Sequence, residues 1–174
     1  RWMTMMLVGG LAMSVARADT HTAASCSQAA VQAAVNAASD GDTVLIPNGS
    51  ATWTGGIATT KQILIRAQNY TPTSGGNAVR HVVITNNSTA PLFSLTSGNS
   101  FHCGIAGIKF VEGTQKSNFV RIQGSGAKVP LVSDCWFDID ERFGDEPGVA
   151  ILAVLSLGGV IWNCRFDTPG TDFQ

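Results

Sequence analysis

Apolar positions along the chain form one helical stripe, followed by a series of short runs patterned like strands. Val31, Ala34, Val35 and Ala38 are spaced i, i+3, i+4 and i+7, a single apolar face on a short helix. Ahead of them, Ser25-Cys26-Ser27-Gln28 has the form of a capping box, and Gly41 after Ser39-Asp40 suits a left-handed position past the C-terminus. The pattern predicts a helix from about residue 26 to 39. Its apolar side is Ala and Val, small enough to lie close on a flat surface, so the helix reads as a lid.

Short β-branched runs follow. Asp42-Thr43-Val44-Leu45-Ile46 closes in the turn Pro47-Asn48-Gly49, and similar runs recur at 63–65, 82–84, 105–110, 132–137 and 160–166. Their starts are about 20 residues apart early and just under 30 later, the spacing of one unit in a solenoid. The last three runs align residue for residue: Gly107-Ile108-Lys109-Phe110-Val111, Asp134-Cys135-Trp136-Phe137-Asp138 and Asn163-Cys164-Arg165-Phe166-Asp167. Each follows a second strand-like piece, at 92–95, 119–122 and 149–152, with turns such as Ser97-Gly98-Asn99 and Gly124-Ser125-Gly126 between them. No stretch is long enough for a βαβ crossover helix. A β-sandwich also suits short strands with turns. The alignable repeat favours an all-β right-handed parallel β-helix with a short N-terminal capping α-helix.

Composition agrees with a β protein: charged residues are 13%, glycines number 19, and one Tyr stands beside eight Phe. A formal net charge of −1 supplies no basic field for nucleic acid or an anionic membrane. Arg1, the apolar run Met5 to Met13 and the small-x-small site Ala16-Arg17-Ala18 have the order of a signal peptide over 1–18, and cleavage would leave Asp19 first. That predicts a secreted, periplasmic or cell-surface protein with no membrane insertion after cleavage. The four cysteines, Cys26, Cys103, Cys135 and Cys164, lack zinc spacing. Cys135 and Cys164 hold equal places in the repeat and are expected stacked, buried and reduced, because stacked parallel strands aim both side chains inward rather than at each other. Export would permit disulfides, and Cys26 could meet Cys103 if the lid reaches that far.

The lid helix followed by Gly41-Asp42-Thr43-Val44-Leu45-Ile46-Pro47-Asn48-Gly49, with later repeats ending in Cys-x-Phe or Ile-x-Phe, resembles the opening of the pectate-lyase-like superfamily of right-handed β-helices. The resemblance spans Ser25 to about Phe166. It implies a domain over 19–174 that is the N-terminal part of a β-helix, with coils from about residue 43 and more coils expected beyond Gln174. The superfamily includes polysaccharide lyases, glycoside hydrolases, esterases, adhesins and phage tailspikes, so the fold does not choose an activity. No catalytic signature carries over, and no catalytic residue is assigned.

The repeat gives a surface map. Columns Ile108/Cys135/Cys164 and Phe110/Phe137/Phe166 share the apolar, interior face. Gly107/Asp134/Asn163, Lys109/Trp136/Arg165 and Val111/Asp138/Asp167 are expected to face solvent, where enzymes of this resemblance place a sugar groove. Lys109, Trp136 and Arg165 are the candidate substrate-binding residues: an indole face packs on a sugar ring and the cations attract uronates. Asp138 and Asp167 are the candidate Ca2+ ligands, Ca2+ being the one cofactor considered. The segment 138–146 holds five acids in nine residues, and its plainer reading is a solvated loop.

Trp53 and Trp162 read as packing beneath the lid or between coils. His21, in a linker, and His81 and His102 have no partner at catalytic spacing. Asn48, Asn69 and Asn86 match the glycosylation pattern, although Asn also marks turns. Two functions follow: a carbohydrate-active protein, a polysaccharide lyase or glycoside hydrolase acting as a monomer on an acidic polysaccharide, or a non-catalytic adhesin or surface structural protein.

Overall fold

The computed structural model describes residues 17–70, 80–96, 98–115, 117–124, 128–139, 150–155 and 159–167. Among these residues the chain is mostly β, with one helix, α1 (Gln28–Ala37), and strands numbered β1–β15 in chain order. The first sheet joins β1 (Thr20–Thr22), β2 (Thr43–Ile46), β5 (Leu64–Ala67), β8 (Gly104–Ala106), β11 (Leu131–Ser133) and β14 (Val160–Trp162), in that order. The second joins β3 (Gly49–Trp53), β6 (Val82–Asn86), β9 (Ile108–Glu112), β12 (Trp136–Asp138) and β15 (Arg165–Asp167). The third joins β4 (Ile57–Thr59), β7 (Phe93–Thr96), β10 (Val120–Gly124) and β13 (Ile151–Leu155). All these pairings are parallel. From β2 onward the chain visits the three sheets in rotation, so neighbours within a sheet lie three strands apart in sequence.

Register places like on like. Val44, Ile65, Ile105 and Val132 are successive partners in the first sheet, and all are fully buried. In the second sheet Ile84, Phe110, Phe137 and Phe166 are successive partners. The rings of Phe110 and Phe137 stack with centroids 5.1 Å apart, and those of Phe137 and Phe166 at 4.9 Å. Each such pair is worth about 0.5–1.5 kcal/mol beyond area burial. Phe93 of the third sheet meets Trp53 and Phe110 of the second, so the sheets share one core.

Each long run of the sequence is two strands rather than one. The break falls at Gly107 (φ 75), Asp134 (φ 54) and Asn163 (φ 50). Asp and Asn tolerate this left-handed conformation better than other side chains. Asn163 Nδ2 donates to Asp134 Oδ1 at 2.7 Å, tying two successive turns. Gly107 is needed for a second reason: a Cβ there would lie 2.5 Å from the Tyr70 ring. This column therefore turns the chain between the first and second sheets, and Asp134 is buried instead of facing solvent.

The helix covers the early strands as its stripe predicts, with Val31, Ala34, Val35 and Ala38 all in the core. Its cap differs. Ser27 is the N-cap, its hydroxyl accepting from Ala30 N at 3.4 Å, while Gln28 Nε2 donates to Gly56 O at 3.3 Å instead of reaching back. Trp53, beneath the helix, is fully buried and its Nε1 donates to Cys26 O at 3.0 Å. Lys61 Nζ donates to the carbonyls of Val35 (2.9 Å) and Asn36 (2.7 Å), satisfying the open C-terminal end. The segment read as a linker is β1. Its His21 Nε2 lies 3.0 Å from Asp42 Oδ2, and Asp42 also accepts from Asp19 N and Ser39 N at 2.8 and 2.7 Å. Those backbone donors, Ser39 first, hold the Asp42 carboxyl below its ordinary value. The expected leader lies outside the described residues up to position 16, as does the acidic segment 138–146 from position 140 on.

Candidate functional site

Lys109, Trp136 and Arg165 are register partners on β9, β12 and β15, as the repeat alignment requires. Strand alternation turns them away from the Phe column. Lys109 Nζ lies 3.7 Å from the Trp136 ring centroid, and Arg165 Cζ lies 4.7 Å from it. One cation comes from the strand on each side, so the indole is flanked on both faces. Asp138 and Asp167, register partners in the next outward column, complete the group. Lys109 Nζ meets Asp138 Oδ2 at 2.8 Å, and Arg165 Nε meets Asp167 Oδ1 at 2.7 Å.

That arrangement changes the chemistry expected of these residues. Two cations face two carboxylates, so the ladder has no net charge to attract a uronate. A sugar could stack on Trp136 only by displacing a cation, at a cost of about 0.5–1 kcal/mol for an exposed cation–π contact. The hydrogen bond from Arg165 holds the Asp167 carboxyl below its ordinary value. The Trp136 indole N–H is buried without a hydrogen-bond partner of normal geometry, though it lies close enough to Asp167 to help keep that group charged. Asp138 and Asp167 are thus engaged by cations, and no cluster of three or more metal-ligating side chains occurs among the described residues.

A shallow groove lies on a different face. Ala58, Thr59, Thr60, Ser94, Thr96 and Gln123, from β4, β7, β10 and the residue after β4, line a space of about 250 Å³. Thr96 and Gln123 are register partners, and Ser94 pairs with Arg121. The groove therefore presents hydroxyls and an amide, with Arg121 on the same strand as Gln123. Arg121 Nε is buried and has no hydrogen-bond partner among the described residues. The two strand-like pieces at 92–95 and 119–122 carry the signal for this face: Phe93-Ser94-Leu95-Thr96 and Val120-Arg121-Ile122-Gln123 alternate apolar and polar with period two. The residue-for-residue repeat lies in the second sheet, and β4, three residues long, is too short and mixed to mark a strand in the sequence.

The remaining candidates separate cleanly. Trp162 is 68% exposed on β14, contrary to the packed position expected of it. His81 and His102 are exposed, and His102 Nδ1 meets the Val129 carbonyl at 2.9 Å. Asn48 and Asn69 are exposed. Asn86 is buried and its amide donates to Ser117 O and Oγ at 3.0 Å, which leaves no room for a glycan. Comparison of the chain with family models, with curated proteins and with solved structures finds no match.

Proposed function

We propose that this chain forms a secreted right-handed parallel β-helix that binds an acidic polysaccharide along the outward face of the third sheet. Three parallel sheets visited in rotation support the β-helix reading, since a crossover between parallel strands is right-handed in about 98% of cases. The leader-like 1–18 segment supports export. The observation that carries the binding proposal is the groove lined by Ser94, Thr96 and Gln123, with Arg121 the register partner of Ser94 on the same strand as Gln123. Hydroxyls and an amide match sugar hydroxyls, and a guanidinium matches a carboxylate bidentately. This moves the binding surface from the Lys109/Trp136/Arg165 column, which is internally neutralised.

Calorimetry with polygalacturonate, alginate and a neutral glucan, with and without Ca2+, tests the proposal. Arg121→Gln should weaken binding of the acidic polymers by at least about tenfold, the scale of one charge-assisted hydrogen bond, and Trp136→Ala should leave it unchanged. The same samples report lyase or hydrolase turnover as unsaturated uronates or new reducing ends. A loss confined to Trp136→Ala would return the site to the second sheet. Absence of binding to every acidic glycan would favour the second reading, an adhesin or surface structural protein. The neutral, ion-paired ladder supports that alternative, because it braces a contact face without selecting a charged ligand.

A further inference from the structure

At the N-terminal end of the stack the three sheets are finished differently. The first is extended by β1, and Ala23 beyond it is buried. In the third, Gln28 Nε2 of the helix takes up the Gly56 carbonyl just ahead of β4. The second begins with β3, which pairs with β6 alone. Gly49 N donates to His81 O at 2.8 Å, and Trp53 O accepts from Asn87 N at 2.8 Å. Main-chain groups alternate sides along a parallel strand, so Gly49, Ala51 and Trp53 face β6 while Ser50 and Thr52 face the free edge. Among the described residues no hydrogen bond reaches the main-chain groups of Ser50 and Thr52, and both residues are exposed. Burial shows the same gap. Val44 and Ile57, early in the inward columns of the first and third sheets, are fully buried. Ala51 is only partly buried, although Ile84, Phe110 and Phe137 after it in its column are fully buried.

We infer that the free edge of β3 docks an extended segment of a partner polypeptide, which adds as one more strand on Ser50 and Thr52 with an apolar side chain over Ala51. Strand addition draws its affinity from main-chain N–H and C=O groups set in line, and β1 already makes it on β2 in parallel. Edge strands are ordinarily blunted by charge or proline, and Gly-Ser-Ala-Thr-Trp has neither. The space above Gly49 is filled by Cys26, whose Sγ lies 2.8 Å from where a Cβ would stand, and the chain then turns into α1 at its Ser27 cap. The strip above Ser50 and Thr52 is left to a partner. A second copy of the chain does not fit there: α1 covers the core at this end, and a whole stack of coils laid on β3 would run into the helix. A single strand passes beside it. This edge is uncharged and none of its residues lines the groove of the third sheet, so the inference is independent of the polysaccharide reading.

The test uses the whole chain and the capped peptide acetyl-Thr-Thr-Ala-Thr-Thr-amide at millimolar concentration, with amide hydrogen exchange read by NMR. In the free chain the Ser50 and Thr52 amides should exchange fastest of those in β3. With peptide in about tenfold excess over its Kd, both should slow about tenfold, while the Gly49, Ala51 and Trp53 amides, already bonded to β6, stay as they were. A peptide with N-methylalanine at its centre, which lacks the amide that donates to the edge, should protect neither. Thr52→Pro removes a donor from the free edge alone, so its Tm should stay near the parent's while the slowing at Ser50 is lost. Slow exchange at Ser50 and Thr52 in the free chain, no response to the peptide, or equal protection by the N-methylated peptide would overturn the inference. So would protection that grows with protein concentration in the absence of peptide, which would put a second copy on the edge.

Discussion

Val44 and Ile161 occupy one column of the first sheet, yet Val44 is fully buried and Ile161 is 54% exposed. The second sheet repeats the contrast, with Phe110 fully buried and Phe166 47% exposed. The residue types are alike, and the neighbours differ. Around Val44 lie β1, β5 and the helix, whereas β14 and β15 have a partner strand on one side only among the described residues. A column position in these sheets earns its burial from the repeats on either side, and the helix with β1 stands in for a repeat at the N-terminal end.

Removing that stand-in should have the largest effect. The double variant Val31→Asp, Val35→Asp puts two unpaired charges against the core, at a cost of several kcal/mol. Its thermal melt should lose cooperativity or shift far below the parent; an unchanged midpoint would mean that the helix is not the cover. A smaller and more graded comparison uses one column. Phe110→Ala should cost about 3–5 kcal/mol by urea unfolding, and Phe166→Ala about 1 kcal/mol, because its ring is already half in solvent. Equal losses would show that position in the column does not matter.

These contrasts also mark what could be read from the sequence. The helix stripe, the Phe column and the Lys109/Trp136/Arg165 column follow from side-chain periodicity and the repeat alignment, and the register repeats them. The turns at Gly107, Asp134 and Asn163 did not, since a single left-handed residue leaves hydrophobic alternation almost undisturbed. β1 is not legible because Thr20-His21-Thr22 has no apolar alternation, and backbone pairing to β2 with the Asp42 bonds holds it in place. At the candidate site, the identity of the outward residues was legible but their pairing with one another was not. Charge compensation between columns depends on side-chain reach, which a list of column members does not contain.

The Asp42 contacts give a pH test of the N-terminal end. Its folded carboxyl is held below the ordinary aspartate value, so between the two values the unfolded chain binds more protons and stability rises with pH. The stabilisation should be complete well above pH 4 and disappear as pH falls through the folded value. Asp42→Asn should therefore flatten the acid limb of the stability curve; an acid limb parallel to that of the parent would rule Asp42 out as its source. The smallest expected effect lies on the half-buried ladder. Lys109→Met should change stability by about 1 kcal/mol or less, the scale of an exposed ion pair plus a cation–π contact. A larger loss would make the ladder part of the core's support.

The claim beneath all of these is that one axis runs through the repeats, so that separation along a column grows by one strand spacing per repeat. Ser50, Val83, Lys109, Trp136 and Arg165 form such a column in the second sheet. Nitroxide side chains introduced by bio-orthogonal labelling at Ser50 and Arg165, with the native cysteines untouched, allow the distance to be measured by double electron–electron resonance. Four strand spacings predict a backbone separation of about 19 Å, with a single distance peak centred near that value. A peak at half that distance, or a broad distribution with no maximum near it, would contradict the in-register stacking of the repeats.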